Sequence, residues 1–333
     1  MYFPNYRPRR MRSHEFIRNL LQENHIRINQ LIYPIFLVDG VNQQQNIDSM
    51  PNIKRYSLDR VLKVCERVLQ LGIQTIALFP VIENQLKDEH GTLALDTDGL
   101  IPRAIKHIKA RFPNLGIISD IALDPYTSHG HDGLIDKDGY VLNDETVEIL
   151  KQQALIYADS GVDIVAPSDM MDGRINAIRN ILENNKFVNT KILAYSAKYA
   201  SSFYGPFRDA VGSKNSLGKG SKETYQMHPA NILEAIREVE MDIHEGADMV
   251  MIKPGLPYLD VIKVIKDKFA FPTFAYHVSG EYSMLHAAAK NGWIDYNQAI
   301  LEIMFSFKRA GCDGVLTYAA LDIAELLISN PCS

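Results

Sequence analysis

Two lysines close apolar runs in this 333-residue chain: Lys198 follows ILAYSA and Lys253 follows MVMI. A lysine at the rim of an apolar wall is poorly hydrated, and a second ammonium close by repels its proton. Both effects lower its pKa toward neutrality. A neutral amine attacks a ketone and forms a Schiff base, which is the chemistry two such lysines predict. The competing reading is that each lysine only snorkels to the surface. It would be the better one for a single strand-end lysine, and is the weaker one for two side by side. A third segment, DIALDPYTSHGHDG (120–133), carries Asp120, Asp124, Asp132, His129 and His131 within fourteen positions. It could be a metal site, an acid/base centre or a polar loop, depending on where the chain places it.

The elements that must position these groups are legible as a rhythm. Strand-like runs occur at 31–38, 74–80, 116–123, 162–168, 191–198, 248–254, 272–278 and 313–319. Amphipathic stretches lie between them, such as SLDRVLKVCERVLQLG (57–72) and NDETVEILKQQALIYADSG (143–161). In the second, Asn143 or Asp144 ahead of Glu148 predicts a capped start, and Gly161 a stop. Eight strand–helix units are the count for a closed (β/α)8 TIM barrel. An open doubly wound sheet would use fewer strands and a Gly-rich first turn, whereas VDGVNQQQN is no dinucleotide fingerprint. In such a barrel chemistry sits at the C-terminal ends of the strands. Asp120, Ala122 and Asp124 then share one face of strand three. Ser168-Asp169 end strand four, Lys198 strand five and Lys253 strand six. His277 and Ser279 follow strand seven, Thr317 and Tyr318 strand eight. Strands five and six should be neighbours about 4.8 Å apart, bringing the lysines together.

Composition excludes several classes. Hydrophobic content of 46% with 23% charged residues suits a globular enzyme. The net charge of −5 and pI near 6.1 argue against a nucleic-acid or anionic-membrane binder. No apolar run is long enough to span a bilayer, and MYFPNYRPRRMR has no apolar core of a signal peptide. Cys65, Cys312 and Cys332 are scattered and odd in number, so a cytoplasmic location is expected. Arg7, Arg9, Arg10 and Arg12 mark the start as either a mobile tail or an arm that docks on another subunit. The connection GPFRDAVGSKNSLGKGSKETYQMHP (205–229) has glycines 212, 218 and 220 and lysines 214, 219 and 222. Its spacing fails the phosphate-loop pattern, and an active-site lid is the better account.

SAKYASSFYGPFRDA (196–210), MIKPGLPYLDVI (251–262), DPYTSHGHDG (124–133), PSDMMDGR (167–174) and YHVSGEYSM (276–284) resemble the porphobilinogen synthase (5-aminolevulinate dehydratase) family, across nearly the whole chain. The resemblance implies condensation of two 5-aminolevulinate molecules into a pyrrole for tetrapyrrole and heme synthesis. Lys253 would hold the first substrate (P site) and Lys198 the second (A site). Asp120, Asp124 and Asp132 would join the lysines in catalysis. Arg208, Lys222 and Gln226 would bind the A-site carboxylate, Ser279 and Tyr318 the P-site carboxylate, and Ser168 would also bind substrate. Phe203, Tyr204 and Phe207 would pack the lid, around 203–227, without entering the chemistry.

Zinc-type relatives carry three cysteines where this chain has Ala122, Asp124 and Asp132. The resemblance therefore implies no active-site zinc, since zinc prefers sulfur and nitrogen. Asp124 and Asp132 would instead face the amine of the A-site substrate, with His129 and His131 fixing the loop. Glu238, in REVEMD, matches the position that holds an allosteric Mg²⁺ at a subunit interface. Residues 1–30 would form an arm for subunit packing and 31–333 the barrel. The assembly would be a homo-octamer, with smaller assemblies also known in the family. Two other readings compete: a class I aldolase, which needs one lysine, and a non-catalytic basic-armed protein. Neither accounts for two lysines facing an acidic strand.

Overall fold

Each of the eight apolar runs becomes a strand, because a parallel barrel buries both faces of its strands and so selects continuous β-branched and aromatic runs. The computed structural model describes residues 3–212 and 221–329. Its strands are β1 (Leu31–Val38), β2 (Gln44–Asn46), β3 (Lys54–Tyr56), β4 (Thr75–Val81), β5 (Gly116–Ile121), β6 (Ile164–Pro167), β7 (Lys191–Lys198), β8 (Met249–Lys253), β9 (Thr273–His277) and β10 (Gly314–Thr317). β1 pairs with β4, and from β4 onward each strand pairs in parallel with its successor. β10 returns to β1 through Leu31↔Val315 and Ile32↔Leu316, which closes the eight-stranded barrel. Helices surround it, as in a TIM barrel.

The helix Leu58–Gln70 turns Val61, Cys65 and Val68 into the core, as its spacing predicts. The helix Asn143–Asp159 departs from expectation at its start. Leu142 is the N-cap, and neither Asn143 nor Asp144 caps through its side chain. Asn143 instead accepts from Asp172 N (2.8 Å) and donates to Asp172 O (3.2 Å), tying the helix to the loop after β6. Past the other end, Gly161 takes the left-handed φ of 96° that favours glycine. Cys65 and Cys312 are buried and free; Cys332 lies outside the described residues. Among the described residues, no helix is long and apolar enough to cross a membrane.

β2 and β3 form an antiparallel hairpin that the sequence reading missed. β3 occupies the edge of β1 at Phe36 and Leu37, beyond the point where β10 pairs. From there Arg55 donates to Ala210 O (2.6 Å) and Asp209 O (2.8 Å), and Ser49 Oγ donates to Asp209 Oδ2 (2.5 Å). The guanidinium thereby satisfies terminal carbonyls of the short helix Gly205–Ala210, which bears Phe207 and Arg208. Arg55→Ala should loosen this helix while sparing the barrel. We expect kcat/KM to fall at least about tenfold, with a loss of stability of only about 1 kcal/mol. An unchanged kcat/KM would show that the helix holds its place without Arg55.

Candidate active site

A one-residue irregularity aligns the two lysines. Along β7 and β8 the register runs Leu193↔Met249 and Ala194↔Val250, then resumes at Ala197↔Ile252 and Lys198↔Lys253. β7 therefore carries one extra residue between Ala194 and Ala197, a β-bulge. In an unbroken ladder Ala197 would stand opposite Lys253, and Lys198 would point to the other face. The bulge puts both ammonium groups on one face of adjacent strands, 5% and 6% exposed.

The two lysines meet different surroundings. Lys253 Nζ lies 4.7 Å from the Tyr276 ring centroid and 5.1–5.3 Å from those of Phe207, Tyr195 and Tyr204. Burial first, and the Lys198 ammonium second, push the Lys253 amine down to about 7. Each ring face attracts a cation by about 0.5–2 kcal/mol and so opposes part of that desolvation. Asp120 lies within its field. Burial pushes that carboxyl up to about 7 against the pull of Lys253 and Lys198, and its Oδ1 has no hydrogen-bond partner among the described residues. Lys198 instead has close oxygen partners. Its Nζ donates to Ser168 O and lies 3.3 Å from Asp132 Oδ1. The two lysines thus differ in their neighbours: aromatic rings enclose Lys253, and a carbonyl and a carboxylate oxygen face Lys198.

The segment 120–133 enters from the strand tip. β5 stops at Ile121, so Asp120 points into the barrel from the strand while Asp124 reaches in from the following turn. Lys222 Nζ bridges Asp132 Oδ2 (2.9 Å) and Asp124 Oδ2 (3.3 Å). Burial alone would raise the Asp132 carboxyl, but Lys198 and Lys222 together hold it far below the usual carboxylate range. The histidines make loop hydrogen bonds: His129 Nε2 to Glu89 O, its Nδ1 to His131 N, and His131 Nδ1 to the Tyr225 hydroxyl.

On the opposite side Ser279 Oγ accepts from Phe207 N (2.9 Å), and the Tyr318 and Tyr276 hydroxyls are 2.7 Å apart. The Tyr204 hydroxyl donates to Lys253 O (3.0 Å). Of the three aromatic side chains expected only to pack the lid, Tyr204 and Phe207 therefore face Lys253. Arg208 is half-buried on its short helix, and Gln226 is buried just past Lys222. The lid positions 213–220, with Lys214 and Lys219, lie outside the described residues. His277, expected at a polar strand tip, faces the outer helices. Its Nδ1 meets Thr317 Oγ1 (2.9 Å), and burial pushes it down to about 3, so it is neutral.

Residues 5–326 match the family model for delta-aminolevulinic acid dehydratase. The chain belongs to the delta-aminolevulinic acid dehydratase family. Relatives of that name include one from Bradyrhizobium diazoefficiens, 55% identical over 96% of this chain and 90% of its own length. Another from Rhodobacter capsulatus is 50% identical over 98% and 97%. A crystal structure of delta-aminolevulinic acid dehydratase (porphobilinogen synthase) from Toxoplasma gondii, in complex with the reaction product porphobilinogen, superposes with a TM-score of 0.95. It is 48% identical and covers 97% of this chain and 92% of that one. Delta-aminolevulinic acid dehydratases are lyases that condense 5-aminolevulinate to porphobilinogen for tetrapyrrole synthesis, and this chain shares that activity.

Metal fit in this dehydratase can be judged from its donor sets. Of the three positions that the resemblance matches to zinc cysteines, Ala122 offers no side-chain ligand, and Asp124 and Asp132 already hold Lys222. That set does not fit a thiolate-type zinc. Among the described residues no group of three or more His, Cys, Asp or Glu is arranged to hold a metal directly. Glu238, on the helix Leu233–Glu245, differs. It lines a cavity of about 240 Å³ with Glu234, Asp172 and Glu223. Burial and the nearby carboxylates Asp242, Asp172 and Glu234 push it up to about 7, despite Arg174. Such a carboxylate gains from a hydrated dication, which needs few direct protein ligands.

Sequence reading missed the frame around these groups. Arg174, 2% exposed, lies 3.4 Å from both Asp169 and Asp242, and donates to Met171 O (3.1 Å) and Tyr195 O (3.3 Å). The Tyr195 carbonyl belongs to the bulge, where the ladder is broken. Glu281 accepts from Val278 N and Leu256 N, joining the start of the helix Ser279–Lys290 to the loop after Lys253. With Val278 at the N-cap, no Ser, Thr, Asp or Asn stood three residues before Glu281 to mark it in the sequence.

Proposed function

We propose that this dehydratase works through Schiff bases on Lys253, for the first 5-aminolevulinate, and on Lys198, for the second. Condensation of the two substrates releases two waters. The observation that carries the reading is the register pairing Lys198↔Lys253, with both side chains buried on one face. The half-neutral Lys253 amine attacks the ketone of the first substrate. Ser279 and Tyr318 bind that substrate's carboxylate. Arg208, Lys222 and Gln226 bind the carboxylate of the second, and Arg208 adds a planar fork to the point charge of Lys222. Asp124 and Asp132 face the second substrate's amine, Asp120 stands by the lysines to hold and pass protons, and Ser168 contacts substrate. Borohydride reduction in the presence of 5-aminolevulinate, followed by peptide mapping, should find adducts on Lys253 and Lys198. Absence of any adduct under turnover conditions would sink the proposal.

The family is metal-dependent, and for this chain the proposed ion is an allosteric Mg²⁺ at Glu238, without active-site zinc. The acidic cavity supports it. Activity should survive a zinc-selective chelator and rise with Mg²⁺. Glu238→Ala should raise the Mg²⁺ concentration for half-activation at least tenfold and leave borohydride trapping intact. A required stoichiometric zinc, or an unchanged Mg²⁺ response, would count against this assignment. The arm at residues 1–30 presents Phe3, Tyr6, Met11, Phe16, Leu20 and Leu21 to solvent. A row of exposed apolar groups favours burial against another subunit of a homo-octamer, and a cytoplasmic location goes with the reduced cysteines.

A further inference from the structure

Lys222 is placed twice over. The proposed chemistry assigns its ammonium to the carboxylate of the second substrate, yet here that ammonium bridges Asp132 (2.9 Å) and Asp124 (3.3 Å). Those are the two carboxylates assigned to the substrate's own amine. All three side chains are at most 13% exposed, so none is satisfied by bulk water. Lys222 cannot serve both partners at once.

We propose that Lys222 is an internal stand-in for the substrate's amine, and that its exchange makes the second site selective for amino ketones; this rests on the amine-facing reading of Asp124 and Asp132. An incoming 5-aminolevulinate brings one ammonium and one carboxylate. Its ammonium replaces Lys222 on the aspartates, and the released Lys222 takes the incoming carboxylate. Each buried charge has a partner before and after, so the exchange conserves pairing. A keto acid without the amine cannot do this. Drawing Lys222 to its carboxylate would leave Asp124 and Asp132 buried with one partner fewer, the arrangement low-dielectric sites penalise most.

The backbone supports a side-chain exchange rather than a loop movement. Lys222 O accepts from Gln226 N (2.8 Å), and in the same turn the Tyr225 hydroxyl accepts from Asp132 N (3.3 Å). The turn is thus fixed to the acidic segment, while the four-carbon stem of Lys222 remains free to swing. Arg208, whose guanidinium forms no ion pair among the described residues, waits on the short helix as the second cation for the carboxylate.

The test is borohydride trapping at Lys198, followed by peptide mapping, with 5-aminolevulinate and with 4-oxopentanoate, the same skeleton without the amine. In the unaltered protein, 5-aminolevulinate should trap at Lys198 at a concentration at least tenfold lower than 4-oxopentanoate. Asp124→Asn keeps the side-chain shape and weakens the one side-chain ion pair that Asp124 makes among the described residues, so it should move the two ligands in opposite directions. Trapping by 4-oxopentanoate should improve about fivefold or more, and trapping by 5-aminolevulinate should weaken. Adding Lys222→Met should erase the gain for 4-oxopentanoate. Thermal unfolding of each variant confirms that the comparison is made on folded protein; Asp124→Ala serves if the asparagine variant is unstable. If 4-oxopentanoate gains nothing in Asp124→Asn while 5-aminolevulinate weakens, the exchange is wrong and the amine-facing reading stands. If 5-aminolevulinate is unaffected, that underlying reading falls as well.

Discussion

Replacing Lys253 with alanine should abolish pyrrole formation, by roughly 10⁴-fold or more in kcat, as removal of a covalent nucleophile does. The surrounding geometry gives the loss its pH signature. An ordinary lysine near 10.4 is neutral in only about one molecule in a thousand or fewer at pH 7. Lys253, pushed down to about 7 by burial and by Lys198, is neutral in about half. The ammonium has no lone pair, so kcat/KM should rise as pH increases through about 7 and level off above it. The negative charge of Asp120 favours the proton on Lys253. Asp120→Asn should therefore shift the acidic limb to lower pH. The two groups exchange protons in the same range, so the limb belongs to the pair. An acidic limb near pH 10 would show that Lys253 is solvated and the aromatic enclosure irrelevant.

The largest stability effect is expected at Arg174. Its guanidinium neutralises Asp242 and Asp169 at 3.4 Å and also donates to the carbonyl of Tyr195 inside the bulge. Burial pushes Asp169 up to about 6 even with Arg174 present. Arg174→Met retains most of the side-chain volume but leaves two buried carboxylates and one bulge carbonyl unpaired. Breaking a buried pair in this way costs about 3–5 kcal/mol. For a chain of this size that lowers the thermal midpoint by roughly 4–7 °C. Asp242→Leu in the same chain should return part of the loss, because one of the stranded carboxylates is removed. A midpoint unchanged by Arg174→Met would mean that water reaches the triad.

Much of this arrangement could be read without coordinates, for physical reasons that differ by element. The eight barrel strands were legible because burial on both faces demands unbroken apolar runs, and β1 is buried at all eight positions. Lys198 and Lys253 stood out because each interrupts such a run at its end. The bulge was not legible. Tyr195, Ser196 and Ala197 carry no glycine or proline to mark it, and its stabiliser Arg174 lies 21 residues away. The β2–β3 hairpin escaped because QQN and KRY are short, polar and accessible to solvent. The enclosure of Lys253 draws Tyr195, Tyr204, Phe207 and Tyr276 from three separate segments, which no local pattern reveals. Asp124 and Asp132 were found as a pair, but their hold on Lys222, 98 and 90 residues away respectively, required the fold.

The seam between β1 and β10 has a consequence for the order of assembly. The neighbouring strands β4 to β10 meet across single strand–helix units, so their ladders can form as soon as each unit exists. The seam joins Leu31 to Val315, and loop-closure entropy delays such distant pairs relative to local ones. During synthesis the aromatic enclosure can gather around Lys253 only as an open, curved sheet, since Tyr318 and the edge that receives Phe36 come last. The chain thus spends most of its elongation with two open edges, the β10-facing side of β1 and the outer side of its newest strand, a state in which pairing with another nascent chain competes with closure.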